Sequence, residues 1–386
     1  MVVDLASLKF WLFVVVGLLV LTPLTHAAAR RTVWAGLNLA FLFVLMGHHG
    51  FLIVLAALAV LYVLLQAAGK SGPRPAAVAV TLTICGLLFV FHKLPWIADR
   101  IHAGRFSPLL TAIGYSYVFL RIIDVLRATW ESRTPPPTPI QLVNYLTPFN
   151  MLAAGPIQAW DEFVAQPPVP DALTFDQSLT MIERIVHGLF KKYVLAYAVK
   201  AIFITDGRAG GWYRLVEMNM MYIWLFLDFS AYSDIAVGIG GLLGVATPEN
   251  FNKPFIARNI TDFWERWHIS LSMWVRRNLF FPIQIALVRR TQGRHALACA
   301  TFAIFVAFTL IGFWHGLTLP FFEWGLLQGI GLAVCNLYRY RLKKQLGTKG
   351  VARYMASWPI FIMAVVVTFE FEAFTIMVQF SHWGHG

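Results

Sequence analysis

Apolar residues along this chain fall into long unbroken runs rather than strand-like alternation. Residues 8–24, 33–46, 51–67, 76–91 and 301–314 are the plainest, and they carry almost no charge. At about 1.5 Å per helical residue, such runs approach the roughly 30 Å of a bilayer's hydrocarbon core, so they predict membrane-spanning helices. The first run could pass for a secretory leader. More apolar helix follows it, however, in place of a small-residue cleavage site and polar mature sequence, so it is read as a retained span. Further spans are predicted at 109–125, 188–204, 218–245, 269–288, 319–337 and 358–378. The expectation is an all-α polytopic membrane protein with about 10–12 transmembrane or re-entrant segments, residues 1–386 forming a single membrane-embedded domain.

Breaks in the pattern carry information of their own. A turn is expected at 70–75, and four prolines within 134–139 predict a stiff linker. Residues 140–160 are interrupted by Pro148, Gly155 and Pro156, which predicts a broken or re-entrant piece lining a cavity, since backbone groups freed at such breaks cannot face lipid. Residues 93–105 mix Trp96, Ile97 and Ile101 with Lys93, Arg100 and Arg105, as a short interfacial helix does. The acidic stretch 161–183, which includes Asp171, is placed outside or at an interface. Arg121 and Asp124 are three apart and share a helix face, which is expected to turn to the bundle interior or to sit near the interface. Glycines 238, 240, 241 and 244 predict close helix packing.

Composition sharpens this picture. Charged residues make up 13% and hydrophobic ones 58%, whereas a soluble surface needs roughly 25% charged residues. The net charge of +12 raises nucleic acid as a partner, but the basic residues sit at the ends of apolar runs, as in Arg30-Arg31 and Arg289-Arg290, and in a basic loop at 339–353. That is positive-inside decoration without the aromatic-interleaved platform of a nucleic-acid binder. Three cysteines without CxxC spacing imply neither a disulfide scaffold nor a zinc site, and no metal is expected.

Soluble catalytic signatures such as GxGxxG, the P-loop, HExxH and GxSxG are absent. What remains are polar residues where burial is costly. His315 lies between Gly312 and Gly316 at the end of an apolar run, and imidazole can both accept and donate a proton near neutrality. An interface histidine satisfied by a carbonyl is the competing reading. His268 sits among Glu265, Arg266, Ser270 and Ser272, a cluster equally suited to chemistry or to anchoring at headgroup level; Asp262 and Arg266 are spaced to pair. Asp228, Tyr232, Ser233 and Asp234 form a third cluster, whose carboxylates either act on a substrate or pair with an arginine such as Arg121.

Read together, LDFSAYSD at 227–234, PENFNKPF at 248–255, NITDFWERWHISLSMW at 259–274 and GFWHG at 312–316 occur in the order typical of the membrane-bound O-acyltransferase family. The chain resembles the family's bacterial branch of teichoic-acid D-alanyl transferases and alginate acetylation proteins. Upstream, IGYSY at 113–117 and AGPI at 154–157 resemble weaker motifs, so the likeness covers roughly 110–335. It implies a helical bundle around a central funnel, with His315 as the essential histidine and His268 as a second one. Asn259, Trp267, Ser270, Trp314, Asp228, Ser233, Asp234, Asn252 and Lys253 are the supporting or substrate-binding candidates. One departure is Arg277 in WVRRN, where the family commonly has an acid.

The resemblance also implies a thioester donor at the cytoplasmic face, either a phosphopantetheinyl acyl carrier protein or acyl-coenzyme A, with no tightly bound cofactor. Arg276-Arg277 and Arg289-Arg290 are placed to meet the carrier or its pantetheine phosphate, or else simply set topology. The acceptor implied is a hydroxyl of an extracytoplasmic envelope polymer, glycan or periplasmic relay protein, and the location a bacterial cytoplasmic membrane. A rival class is a transporter or flippase of an envelope precursor working through Asp228 and Asp234.

Overall fold

The computed structural model describes residues 5–69, 75–94, 106–167, 173–205 and 210–380. The turn expected at 70–75 and the interfacial helix expected at 93–105 lie largely outside these residues, as does Asp171. In chain order the helices are α1 Leu8–Leu21, α2 Ala27–Gly69, α3 Pro75–Lys93, α4 Phe106–Ala112, α5 Tyr115–Trp130, α6 Pro139–Leu146, α7 Trp160–Ala165 and α8 Phe175–Phe190. They continue with α9 Tyr197–Phe203, α10 Tyr213–Leu243, α11 Ile260–Trp264, α12 Ile269–Val275, α13 Phe281–Arg290, α14 Ala296–His315, α15 Leu319–Ala356 and α16 Trp358–Gln379. Among the described residues the one β-type pairing is an antiparallel bridge between Phe251 and Trp267. Among the described residues five helices, α2, α3, α10, α14 and α16, are long and apolar enough to cross a membrane. The protein is therefore an all-α, multi-pass membrane protein; the expected segments 8–24, 109–125, 188–204 and 269–288 are shorter or interrupted helices, and 319–337 lies within the long helix α15.

Contacts gather the chain into two compact units, residues 1–187 with 233–248, and residues 188–232 with 249–386. In the first, the spans expected at 33–46 and 51–67 are two arms of α2, bent at Gly47 with φ 68°. The helix expected at 109–125 is likewise divided, into α4 and α5. Gly114 separates them with φ 58°, and a Cβ there would collide with the carbonyl oxygen of Leu152, so only glycine suits the position. The prolines behave as expected. Thr138 caps α6 in a capping box with Gln141, Pro139 starts the helix, and the chain then breaks through a 3-10 turn at Phe149–Met151 into irregular backbone.

Arg121 and Asp124 hold that broken segment from the buried face of α5. The Arg121 guanidinium donates to the carbonyls of Tyr145, Leu146, Met151 and Pro156 at 3.0–3.3 Å. Asp124 accepts from the Trp160 amide at 2.7 Å and from the Tyr145 hydroxyl at 3.4 Å. Two charged groups in an apolar bundle thus supply the partners that the irregular backbone would otherwise lack. The glycines of α10 also do what their spacing predicts: a Cβ at Gly238 would lie 2.6 Å from the Ile185 side chain, and Gly241 abuts Met181.

The second unit holds the first part of α10 and everything from residue 249 onward. Two expectations are corrected here. The span expected at 188–204 is part of a longer helical stretch that starts at Phe175, inside the acidic stretch, and passes through a π-turn at Lys191–Ala196. The supposed basic loop at 339–353 is also helix, because α15 runs to Ala356 and merely bends at Gly347, φ 63°. Lys, Arg, Leu, Gln and Ala are strong helix formers, so a span that ends in them continues into water without unwinding.

Candidate functional site

The polar block between α10 and α12 folds back on itself. The Asn252 amide donates to the Arg266 carbonyl at 2.9 Å, and the Ile269 amide donates to the Asn250 carbonyl at 3.0 Å. Between these two rungs the chain turns through Lys253, φ 50°, and a 3-10 turn at Pro254–Ile256. Asn259 then caps α11, its Oδ1 accepting from the Asp262 amide at 3.0 Å. The expected Asp262–Arg266 pair forms, at 2.7 Å.

This scaffold fixes His268. The residue precedes α12 in a left-handed conformation, φ 42°, and its side chain is 2% exposed with the ring edge-on to Phe229 at 4.8 Å. A non-glycine residue keeps such a conformation only where its surroundings over-determine it. Here they do, through Asn250, whose Oδ1 meets the Ser270 amide at 3.2 Å, the Ser270 hydroxyl at 2.6 Å and His268 Nδ1 at 3.2 Å. A backbone amide can only donate, so the Asn250 atom at this junction is its oxygen, and His268 Nδ1 must carry the proton. Burial pushes the imidazole's pKa well below the usual range. His268 is therefore neutral, with the lone pair on Nε2.

His315 ends α14 and, unlike His268, is partly exposed. Its ring meets Trp314 at 4.7 Å and Trp324 at 4.9 Å, both edge-on, and lies parallel to Phe321 at 6.3 Å. Glycines set this position. A Cβ on Gly312 would lie 2.9 Å from the Gly325 Cα, so α14 and α15 cross with their backbones in contact and bring Trp324 up to the imidazole. Gly316 faces Phe321 just as closely. The result is one imidazole at a helix end, walled by aromatic rings.

Below it lies a buried polar chain that sequence reasoning passed over. Trp264 Nε1 donates to Gln328 at 2.9 Å, and Gln328 donates to Glu372 at 2.7 Å and to Thr375 at 3.0 Å. Because Trp264 also lies 6.1 Å from Trp324, this chain braces the wall behind His315. A signal existed for Glu372: a carboxylate inside the apolar run 358–378 is a candidate by default. Asn250 was marked only as part of the PENFNKPF motif, and its role was hidden because its partners stand 18–20 residues away.

Other candidates lie as follows. Trp267 stacks on Phe263 at 5.5 Å, Ser270 joins the Asn250 junction, and Trp314 is buried against His315. Asn252 belongs to the paired backbone and Lys253 is exposed. Asp228 pairs with Lys192, whereas Asp234 pairs with Arg184 at 3.0 Å, beside the buried Ser233 in the first unit. The lysine and arginine that meet these carboxylates come from the neighbouring helical stretch, not from Arg121 as the sequence suggested. Arg276 pairs with Glu265 at 2.9 Å. Among the described residues no group of three or more His, Cys, Asp or Glu is placed to hold a metal ion.

Residues 35–379 match the model of MBOAT, the membrane-bound O-acyltransferase family. The chain is 29% identical to a teichoic acid D-alanyltransferase of Bacillus subtilis, over 69% of this chain and 68% of that protein. It is 29% identical to a probable alginate O-acetylase of Pseudomonas aeruginosa, over 67% of this chain and 48% of the relative. A peptidoglycan O-acetyltransferase of Helicobacter pylori is 35% identical over 51% of this chain and 37% of its own length. The chain thus spans about two thirds of the first relative and half or less of the other two.

Proposed function

The chain belongs to the membrane-bound O-acyltransferase family, and from that premise we propose that it moves a D-alanyl or acetyl group from a cytoplasmic thioester to a hydroxyl of an extracytoplasmic envelope polymer, glycan or relay protein. The observation that carries this reading is the partly exposed His315 at the end of an apolar helix, held between aromatic rings. An imidazole so placed can reach a substrate while the rings keep bulk water from a thioester that would otherwise hydrolyse.

In the proposed reaction His315 takes the proton of the acceptor hydroxyl as its oxygen attacks the thioester carbonyl. The tetrahedral intermediate then collapses, the C–S bond breaks, and the proton passes from His315 to the departing thiolate. No serine or cysteine nucleophile is needed, and the acyl group is never attached to the protein. His268 offers a lone pair instead of a proton, so it suits holding a donor N–H or O–H in line and does not suit binding the oxyanion. The donor is a phosphopantetheinyl carrier protein or acyl-coenzyme A, and the site of action a bacterial cytoplasmic membrane.

The test is mass spectrometry of envelope glycans and polymers from cells with and without the gene. Loss of an alanyl or acetyl ester on deletion, restored by the wild-type protein, supports the reading and names the acyl group; an unchanged ester profile refutes it.

A narrower test follows from the Asn250 junction. Asn250→Ala frees the Ser270 amide and hydroxyl together and lets the His268 ring turn or take its other tautomer. Transfer is expected to fall about tenfold or more, as is usual when a group orienting a histidine is lost. A Ser270→Ala protein, which keeps Asn250 Oδ1 on His268, should lose much less. Equal activity of Asn250→Ala and wild type, measured as acyl ester formed per folded protein, would refute the positioning role.

A further inference from the structure

The second unit contains a cleft of about 640 Å³ that the proposed chemistry does not use. It opens between the start of α16, the exit end of the apolar half of α15, and the turn carrying α11. Its lining is mixed in character. Met355, Ile360, Phe361 and Ala364 supply apolar surface, and Arg258, Arg339 and Lys343 supply positive charge beside Tyr338 and Tyr354, whose hydroxyls meet at 2.8 Å.

Charge in the cleft is one-sided once ion pairs are assigned. Its two carboxylates already have partners, Asp262 with Arg266 at 2.7 Å and Glu265 with Arg276 at 2.9 Å. Arg258 lies over the Phe361 ring at 5.1 Å, and among the described residues Arg258, Arg339 and Lys343 take part in no ion pair. Three cations therefore face a hollow whose acids are neutralised from outside it.

Depth fixes what fits. α16 enters its apolar span at Trp358, and α15 leaves its own apolar stretch just before Tyr338, so the cleft lies where hydrocarbon gives way to water. Tyrosines and tryptophan gather at that level, and Arg339, Arg341, Lys343, Lys344, Lys349 and Arg353 mark the side as cytoplasmic. A cluster of basic residues directly cytoplasmic of a span is the usual footprint of an anionic headgroup.

We propose that this cleft binds a phosphate ester carried on an amphiphilic tail, the phosphate at Arg258, Arg339 and Lys343 and the tail against the apolar lining of Met355, Ile360 and Ala364. Two sources share this chemistry: the headgroup of an anionic phospholipid of the cytoplasmic leaflet, and the phosphate of a soluble pantetheine thioester. In the second case the cleft would be a docking point for the donor of the proposed reaction, and the inference then rests on that reading. Binding is read without turnover, so failure here leaves the acyl-transfer reading standing.

The experiment uses the full-length protein in nanodiscs of zwitterionic lipid. One arm titrates phosphatidylglycerol into the disc and counts retained lipid by native mass spectrometry; the other titrates coenzyme A and measures binding by calorimetry. Saturable binding in either arm is expected, weakened about tenfold or more in Arg339→Gln/Lys343→Gln, which loses two surface charges. Arg341→Gln/Lys344→Gln, which removes two charges from the same helix but outside the cleft lining, should bind as wild type does. Both paired variants change exposed side chains, so folding is preserved. Absence of saturable binding in both arms, or equal weakening by the two variants, overturns the proposal.

Discussion

Replacing His315 with alanine is expected to lower acyl transfer roughly 10²–10⁴-fold, the range a positioned general base contributes, without unfolding the protein. The ring is partly exposed, and Trp314, Phe321 and Trp324 pack against it by ring edges and faces. The backbone contact of Gly312 with Gly325 holds α14 on α15 whatever residue 315 carries. The check pairs two measurements, ester formed per folded protein and the elution and melting profile of purified His315→Ala. A His315→Ala protein that still esterifies envelope material at the wild-type rate removes the proposed base. The transporter reading makes the opposite forecast, with export surviving His315→Ala and failing in Asp228→Asn. The ion pair of Asp228 with Lys192 gives that carboxylate a structural partner instead.

The second large effect belongs to stability. Arg121→Leu is expected to lose several kcal/mol, because four carbonyls give up their donor at once and a buried unsatisfied group costs about 1–3 kcal/mol. The side chain is 1% exposed, so water cannot readily take its place. Arg121→Lys should fall between the two, since an ammonium is a compact point donor and cannot span the separated carbonyls that the planar guanidinium reaches. Thermal melting of the detergent-solubilised proteins ranks the three; an Arg121→Leu protein that melts with wild type would show that the segment 145–156 holds its shape by other means. Arg121 belongs to the first unit and the two histidines to the second, so the expected loss of activity follows the amount of folded protein.

Several elements were readable from the chain itself. Spans α3, α14 and α16 follow their apolar runs within a few residues, because apolar length is a local property that a bilayer rewards whatever the rest of the fold does. The break at 140–160 was announced by Pro148, Gly155 and Pro156. Less was readable where polar residues continue a helix. The basic end of α15 looks like a loop by composition, yet its Lys, Arg, Leu, Gln and Ala residues have high helix propensity and α15 bends only at a glycine.

For the candidate site the division runs along the same line. Residue type and embedding singled out His315, His268 and the polar block 248–267, since an imidazole in an apolar run and a charged block between two spans are conspicuous in one dimension. What the one-dimensional pattern left open was which atoms meet. Asn250 became the junction of His268 and Ser270, Gln328 and Glu372 became the brace behind Trp324, and Asp228 and Asp234 took Lys192 and Arg184 as partners. Burial cost is set by a residue's own chemistry and so is written in the sequence. A hydrogen bond depends on two groups brought within about 3 Å from distant parts of the chain, and only the folded backbone decides that.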